Sequence, residues 1–224
     1  MPRPSVFFMP HFSHLIFDLD GTLADTKADL AAAANFMLVE LGLPQLSPHR
    51  IASFVGHGAR VLVAKALGPS HADFVDQGLA LFMQYYAAHL LDQTRLYPGL
   101  DVLLTEAQAR GIVLSILTNK PEAPSRAILA GLGVAPLFSA VIGGDTLPTK
   151  KPDPQGVFCL QRQTGVALQD TLLIGDSHVD YETSAAAKVM MCGVTWGFGA
   201  DDFATLSPLF LVHTVEELDE LLLS

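Results

Sequence analysis

Three carboxylates, one lysine and one hydroxyl stand at positions where they could do chemistry together. Asp18 and Asp20 close the run HLIFDLD, Thr118 and Asn119 close IVLSILTN, Asp176 closes TLLIGD, and Lys151 precedes Pro152 in the loop after Ala140–Ile142. Two residues apart on an extended chain, Asp18 and Asp20 point to one side. Carboxylates gathered at one place repel: at ~4 Å and an effective dielectric near 20, each like-charged pair costs about 4 kcal/mol. A hard divalent cation removes that cost, and Mg²⁺ takes oxygen ligands, often one or two carboxylates with phosphate and water. A lysine and a hydroxyl beside such a cation would hold a phosphate. The set therefore points to phosphoryl transfer, a chemistry made mostly of positioning and charge neutralisation.

The elements that must position these groups are short and apolar. Leu15–Phe17, Ile112–Leu117, Ala140–Ile142, Thr171–Ile174 and Val189–Val194 lack alternation, as expected of strands buried on both faces of a parallel sheet. Helical patterns at Leu100–Arg110, Pro121–Gly131, Pro154–Thr164 and Tyr181–Lys188 alternate with them, the rhythm of βαβ units. In such sheets ligands bind at the carboxyl ends of the strands, where the polar residues fall. One region breaks the rhythm. Between Lys27 and Leu96 the expectation is helix only, at Lys27–Leu41, Pro48–Phe54, Ala59–Leu67 and Ala72–Leu91. This is read as an all-α subdomain over 27–96, inserted into a body made of 14–26 and 97–224. Residues 1–13 are read as a tail whose aromatics pack on the body.

Composition excludes several classes. Thirteen basic against twenty-three acidic residues give a net charge of −10, which argues against a nucleic-acid binder and a polybasic membrane anchor. The apolar run Val6–Met9 is too short for a secretory signal, and no run approaches a membrane span of about 20 residues. Cys159 and Cys192 read as free thiols in a reducing cytosol, so a cytoplasmic protein is expected, as monomer or homodimer.

The motifs FDLDGTLADT, LTNK, KKPDP and LLIGDSHVDYETSAAA, in this order, resemble the four motifs of the haloacid-dehalogenase-like phosphohydrolases. The resemblance covers about residues 14–220 and implies a Rossmann-like core with a helical cap after the first motif. It implies roles as well. Asp18 would be the nucleophile, giving an aspartyl-phosphate, and Asp20 the general acid and then base. Thr118 would hold the phosphoryl oxygens, Asn119 would assist partly through its backbone, and Lys151 would neutralise charge on nucleophile and phosphate. Gly21 would turn the chain so that backbone N–H groups meet the phosphate. Asp18, the backbone carbonyl of Asp20, and Asp176 would hold Mg²⁺, with Asp180 supporting them directly or through water. An acid at Asp20 favours phosphate esters over carbon–halogen bonds.

VGHGARVLVAKAL, LYPGL, LTNKPEAPSRAIL, GGDTLPTKKPDP and VTWGF further resemble the phosphoglycolate phosphatase branch. This implies a small phosphorylated metabolite, 2-phosphoglycolate first, with pyrophosphate or a sugar phosphate as alternatives. A phosphomutase and an inactive phosphate-binding module are the competing functions. Three places depart from the branch pattern: His57 replaces an Asn, Lys188 stands where the helix of the fourth motif usually ends in Gly, and the loop Ser177-His178-Val179 lacks the usual Arg-Asn. The one cationic residue in the glycine-flexed turn Gly56–Arg60 suggests that Arg60 or His57 meets the distal group of the substrate.

Overall fold

The computed structural model describes residues 11–223. The expected tail at 1–13 lies mostly outside this range; of its described part, Phe12 is buried and meets Phe210 edge to face at 6.1 Å. Mostly apolar runs form a sheet of six parallel strands: β1 (His14–Phe17), β4 (Val113–Leu117), β5 (Ala140–Ile142), β6 (Thr171–Gly175), β7 (Met190–Val194) and β8 (Phe210–Val212). Their order is β5-β4-β1-β6-β7-β8. β1 is buried along its whole length because it lies in the middle, with helices covering both faces of the sheet. His14 on β1 shares a 2.9 Å hydrogen bond with Ser115, and burial lowers its pKa to about 4, so it is a neutral core residue.

This order positions the site. Phe17 pairs with Ile116 on one side and Ile174 on the other. The residues just beyond, Asp18, Thr118 and Asp176, therefore emerge from three adjacent strand ends, each about 5 Å from the next. The chain leaves β1 toward β4 on one flank and returns to β6 on the other, so a crevice opens above this point.

Between the first strand and the rest of the sheet come the helices α1 (Lys27–Glu40), α2 (Pro48–Ala52), α3 (Ala59–Leu67) and α4 (Val75–Ala88). They bury a core of their own around Met37, Leu38, Ile51, Val63, Phe82 and Tyr86. Entry and exit are two short strands, β2 (Ala24–Asp25) and β3 (Arg95–Leu96), which pair antiparallel. The buried carboxylate of Asp29 on α1 accepts from the Gln93 and Thr94 amides and the Thr94 hydroxyl, tying the exit to the first helix. The remaining helices are α5 (Leu100–Ala109), α6 (Glu122–Gly131), α7 (Gln155–Thr164), α8 (His178–Ala187) and α9 (Val215–Leu223).

The elements differ from expectation in several places, and β3 lies inside the stretch read as helix only. The helix expected at Tyr181 begins at His178, because Ser177 and Asp180 form a capping box at its start. α9 and the outermost strand β8 were not anticipated. The helix expected over Ala72–Leu91 is α4 preceded by a 3₁₀ segment, Pro69–Phe74.

Candidate active site

Asp18 follows β1, its amide donating to Ile174 O at 2.9 Å. The buried Lys151 Nζ donates to Asp18 Oδ1 at 2.7 Å and to Asp180 Oδ1 at 2.6 Å. One lysine thus holds two carboxylates from different elements. The other oxygen of Asp180 accepts from the Ser177 hydroxyl at 2.7 Å, so the same side chain also caps α8. Asp176 accepts from the Phe198 and Gly199 amides at 2.6 and 3.2 Å and from the Thr22 hydroxyl at 3.3 Å. Gly21, at φ 89°, has no side chain for a specific reason: a Cβ there would lie 2.4 Å from Asp176 Oδ2. Its own N–H is spent on Ala24 O at 3.0 Å. The structure therefore gives Gly21 the part of making room for Asp176 at the turn that follows β1.

Carboxylate oxygens of Asp18, Asp176 and Asp180 lie within 4.8 Å of one another, all three residues buried. Burial, opposed by Lys151 and reinforced by Asp180, raises the pKa of Asp18 to about 6. Burial and the neighbouring Asp18 and Asp180 push Asp176 up to about 8, against the pull of two amide donors. Lys151 resists the lowering that burial alone would cause and sits above the ordinary lysine value, because Asp18 and Asp180 flank it. One ammonium cannot neutralise three carboxylates. A compact all-oxygen donor set with uncompensated negative charge suits a hard divalent cation.

Asp20 lines the same cavity but is paired separately. Both its oxygens meet Lys120 Nζ, at 2.9 and 3.0 Å, and one accepts from Thr26 Oγ1 at 2.7 Å. Burial would lower Lys120, but Asp20 and Tyr86 hold its pKa above the ordinary value. The ammonium also lies 4.6 Å from the centre of the Tyr86 ring on α4. Sequence reasoning gave Lys120 no role, although it follows Thr118-Asn119 directly. Thr118 ends β4 beside Asp18, its hydroxyl accepting from the Lys120 amide at 3.2 Å.

The Asn119 side chain links two other segments of the site. Its amide donates to Gly56 O at 2.8 Å and to Lys151 O at 2.9 Å, joining the helical insertion to the lysine loop. Lys150 donates to His57 O at 2.7 Å and fastens the same turn.

A cavity of about 270 Å³ lies between the strand ends and the helical insertion, lined by Asp18, Asp20, Thr118, Asn119, Lys120, Lys151 and Asp176 below and by apolar side chains above. Neither Arg60 nor His57 lines it. The Arg60 guanidinium instead pairs with Asp76 at 2.7 Å on the exposed outside of the helices, and the His57 ring packs against His178 at 5.3 Å. The expectation that the cation of the turn meets a bound substrate is thus not met by this arrangement: Arg60 leads into α3 and points to the side that carries Asp76.

A parallel Rossmann-like sheet whose first strand gives way to a helical cap, with acids and a lysine facing that cap, is the architecture of a capped hydrolase. The profile of the haloacid dehalogenase-like hydrolases matches residues 15–194, and the chain belongs to this family. It is 43% identical over 191 residues to a phosphoglycolate phosphatase of Pseudomonas putida, a match spanning 82% of this chain and 70% of that one. Against the phosphoglycolate phosphatase of Chromobacterium violaceum identity is 38% over 220 residues, 96% and 98% of the two chains. A crystal structure of a predicted phosphoglycolate phosphatase from Haemophilus somnus superposes with a TM-score of 0.88 at 31% identity, covering 93% of this chain and 97% of that one.

Proposed function

We propose that the protein is a Mg²⁺-dependent phosphatase that hydrolyses 2-phosphoglycolate to glycolate and phosphate, with the cap spanning 27–96 on a body of 14–26 and 97–224. The observation that carries the reading is the placement of Asp18. One of its oxygens rests on Lys151, and the side chain faces a cavity of about 270 Å³, room for a small ester. The relatives named as phosphoglycolate phosphatases favour this substrate over pyrophosphate or a sugar phosphate.

Asp18, Asp176 and Asp180 are the side chains suited to hold Mg²⁺, to which the backbone carbonyl of Asp20 would add. When bound, the ion would supply charge neutralisation and orientation of the phosphoryl oxygens. The chain's own residues do the rest. The Asp18 carboxylate attacks phosphorus as the bond from phosphorus to the ester oxygen breaks, and an acyl phosphate forms on Asp18. Asp20 gives a proton to the departing glycolate oxygen. Water then attacks the acyl phosphate while Asp20 takes its proton, and phosphate leaves. Thr118 and Lys151 hold the phosphoryl oxygens through both displacements. The two free cysteines accord with a cytoplasmic setting.

The test is release of inorganic phosphate from 2-phosphoglycolate with Mg²⁺ and no sugar bisphosphate. Asp18→Asn is expected to lower the rate at least about 10³-fold, the usual cost of losing a covalent nucleophile. No phosphate release by the native protein from phosphoglycolate, pyrophosphate or sugar phosphates would refute the reading. Release only in the presence of a sugar bisphosphate would make it a mutase.

A further inference from the structure

Given the phosphoglycolate reading, on which this step rests, we infer that Lys120 receives the distal carboxylate of the substrate and so selects short phosphorylated carboxylic acids over neutral phosphate esters. The cap cannot perform this task. The side chains it presents to the cavity include Leu30, Leu62, Phe82 and Met83, and none of those lining it is charged. Lys151 is occupied by Asp18 and Asp180, and His178 sits half-exposed on Asp202 at 2.7 Å. Among the described residues, Lys120 is the remaining cationic side chain on the cavity wall, 4% exposed.

Its distance from the chemistry fits a two-carbon acid. Asp20 must face the ester oxygen to protonate it, and Lys120 Nζ touches both Asp20 oxygens. Two bonds of about 1.5 Å separate that ester oxygen from the carboxyl carbon of phosphoglycolate, so the carboxylate cannot lie far from Asp20. An ammonium has three N–H donors. Asp20 engages two, and the third has the Tyr86 ring, a weaker partner than a carboxylate. At so buried an ammonium, a charge-assisted hydrogen bond is stronger than in solution. Arg60, paired to Asp76 outside the cavity, is beyond the reach of so short a tail.

The experiment compares 2-phosphoglycolate with 2-hydroxyethyl phosphate, which has the same length and an uncharged end. The native protein is expected to prefer phosphoglycolate in kcat/KM. In Lys120→Met and Lys120→Gln that preference should fall about 10- to 100-fold, with KM for phosphoglycolate carrying the larger part. Equal losses on both substrates would show that Lys120 only positions Asp20. That result overturns the inference and leaves the phosphatase reading standing. A native protein that hydrolyses 2-hydroxyethyl phosphate but not phosphoglycolate would overturn the substrate reading itself. Should either variant lack a cooperative melt, a crystal structure of the native protein with 3-phosphonopropionate decides. A carboxylate about 3 Å from Lys120 Nζ supports the assignment, and one held by other groups refutes it.

Discussion

At the scale of single residues, the site is a balance of charge that the protein leaves deliberately unfinished. Asp18 and Asp176 have pKa values raised to about 6 and about 8, against about 3.9 in an unfolded chain. The folded chain therefore binds more protons than the unfolded one between about pH 4 and 8, and without a cation its stability falls as pH rises through that window. A divalent ion competes with those protons. Mg²⁺ is expected to raise the melting temperature more at pH 8 than at pH 5, and an equal shift at both would contradict the assignment of these acids. Asp18, Asp20, Thr118, Lys151 and Asp176 were legible as a cluster because each ends or follows a buried apolar run. What stayed hidden was pairing. That Lys120 holds Asp20 while Lys151 holds Asp18 and Asp180 depends on side-chain reach across strands, which spacing along the chain does not encode. Arg60 was misread for a related reason: its competitor, Asp76, lies a helix away.

Among the elements, the end of α8 carries a local conflict. Lys188 adopts φ 57° and ψ 40°, alone among the described non-glycine residues in having a positive φ, and its side chain is exposed. The left-handed region costs a residue with a Cβ about 1–2 kcal/mol, part of which glycine gives back through the entropy of the unfolded chain. Lys188→Gly should therefore stabilise the fold by about 0.5–1 kcal/mol, raising the melting temperature by about 2 °C. A lower melting temperature would show that the lysine makes contacts worth more than the strain. The departure from glycine was visible in the sequence, and the structure shows the backbone kept the glycine conformation. The short, continuous apolar strands at the centre of the sheet were equally visible. β8 was not, since three residues at the sheet edge, with Leu211 partly in solvent, leave neither a long run nor a clear alternation. The capping box escaped because Asp180 was read for its charge, while it also serves as a helix cap.

Over the whole molecule, the net charge of −10 opposes an anionic substrate at long range, and the lysines act only inside the cavity. Raising ionic strength from about 0.01 to 0.15 M shortens the Debye length from about 30 to 8 Å. The kcat/KM for phosphoglycolate is accordingly expected to rise over this range, and a decline would mean that the local positive field of Lys120 and Lys151 reaches well beyond the mouth. Asn119 and Lys150 clasp the Gly56-His57 turn, so the structure represents the cap seated on the body.

The paired crossings at Ala24↔Leu96 and Asp25↔Arg95 bear on how such a protein can change over generations. Neighbouring residues of an antiparallel pair have Cα atoms about 5 Å apart. To the sheet, the whole helical unit is therefore equivalent to a hairpin turn: it can be lengthened, shortened or exchanged without shifting the alignment of a single central strand. New selectivity can be acquired above this gate while the reacting groups below keep their places.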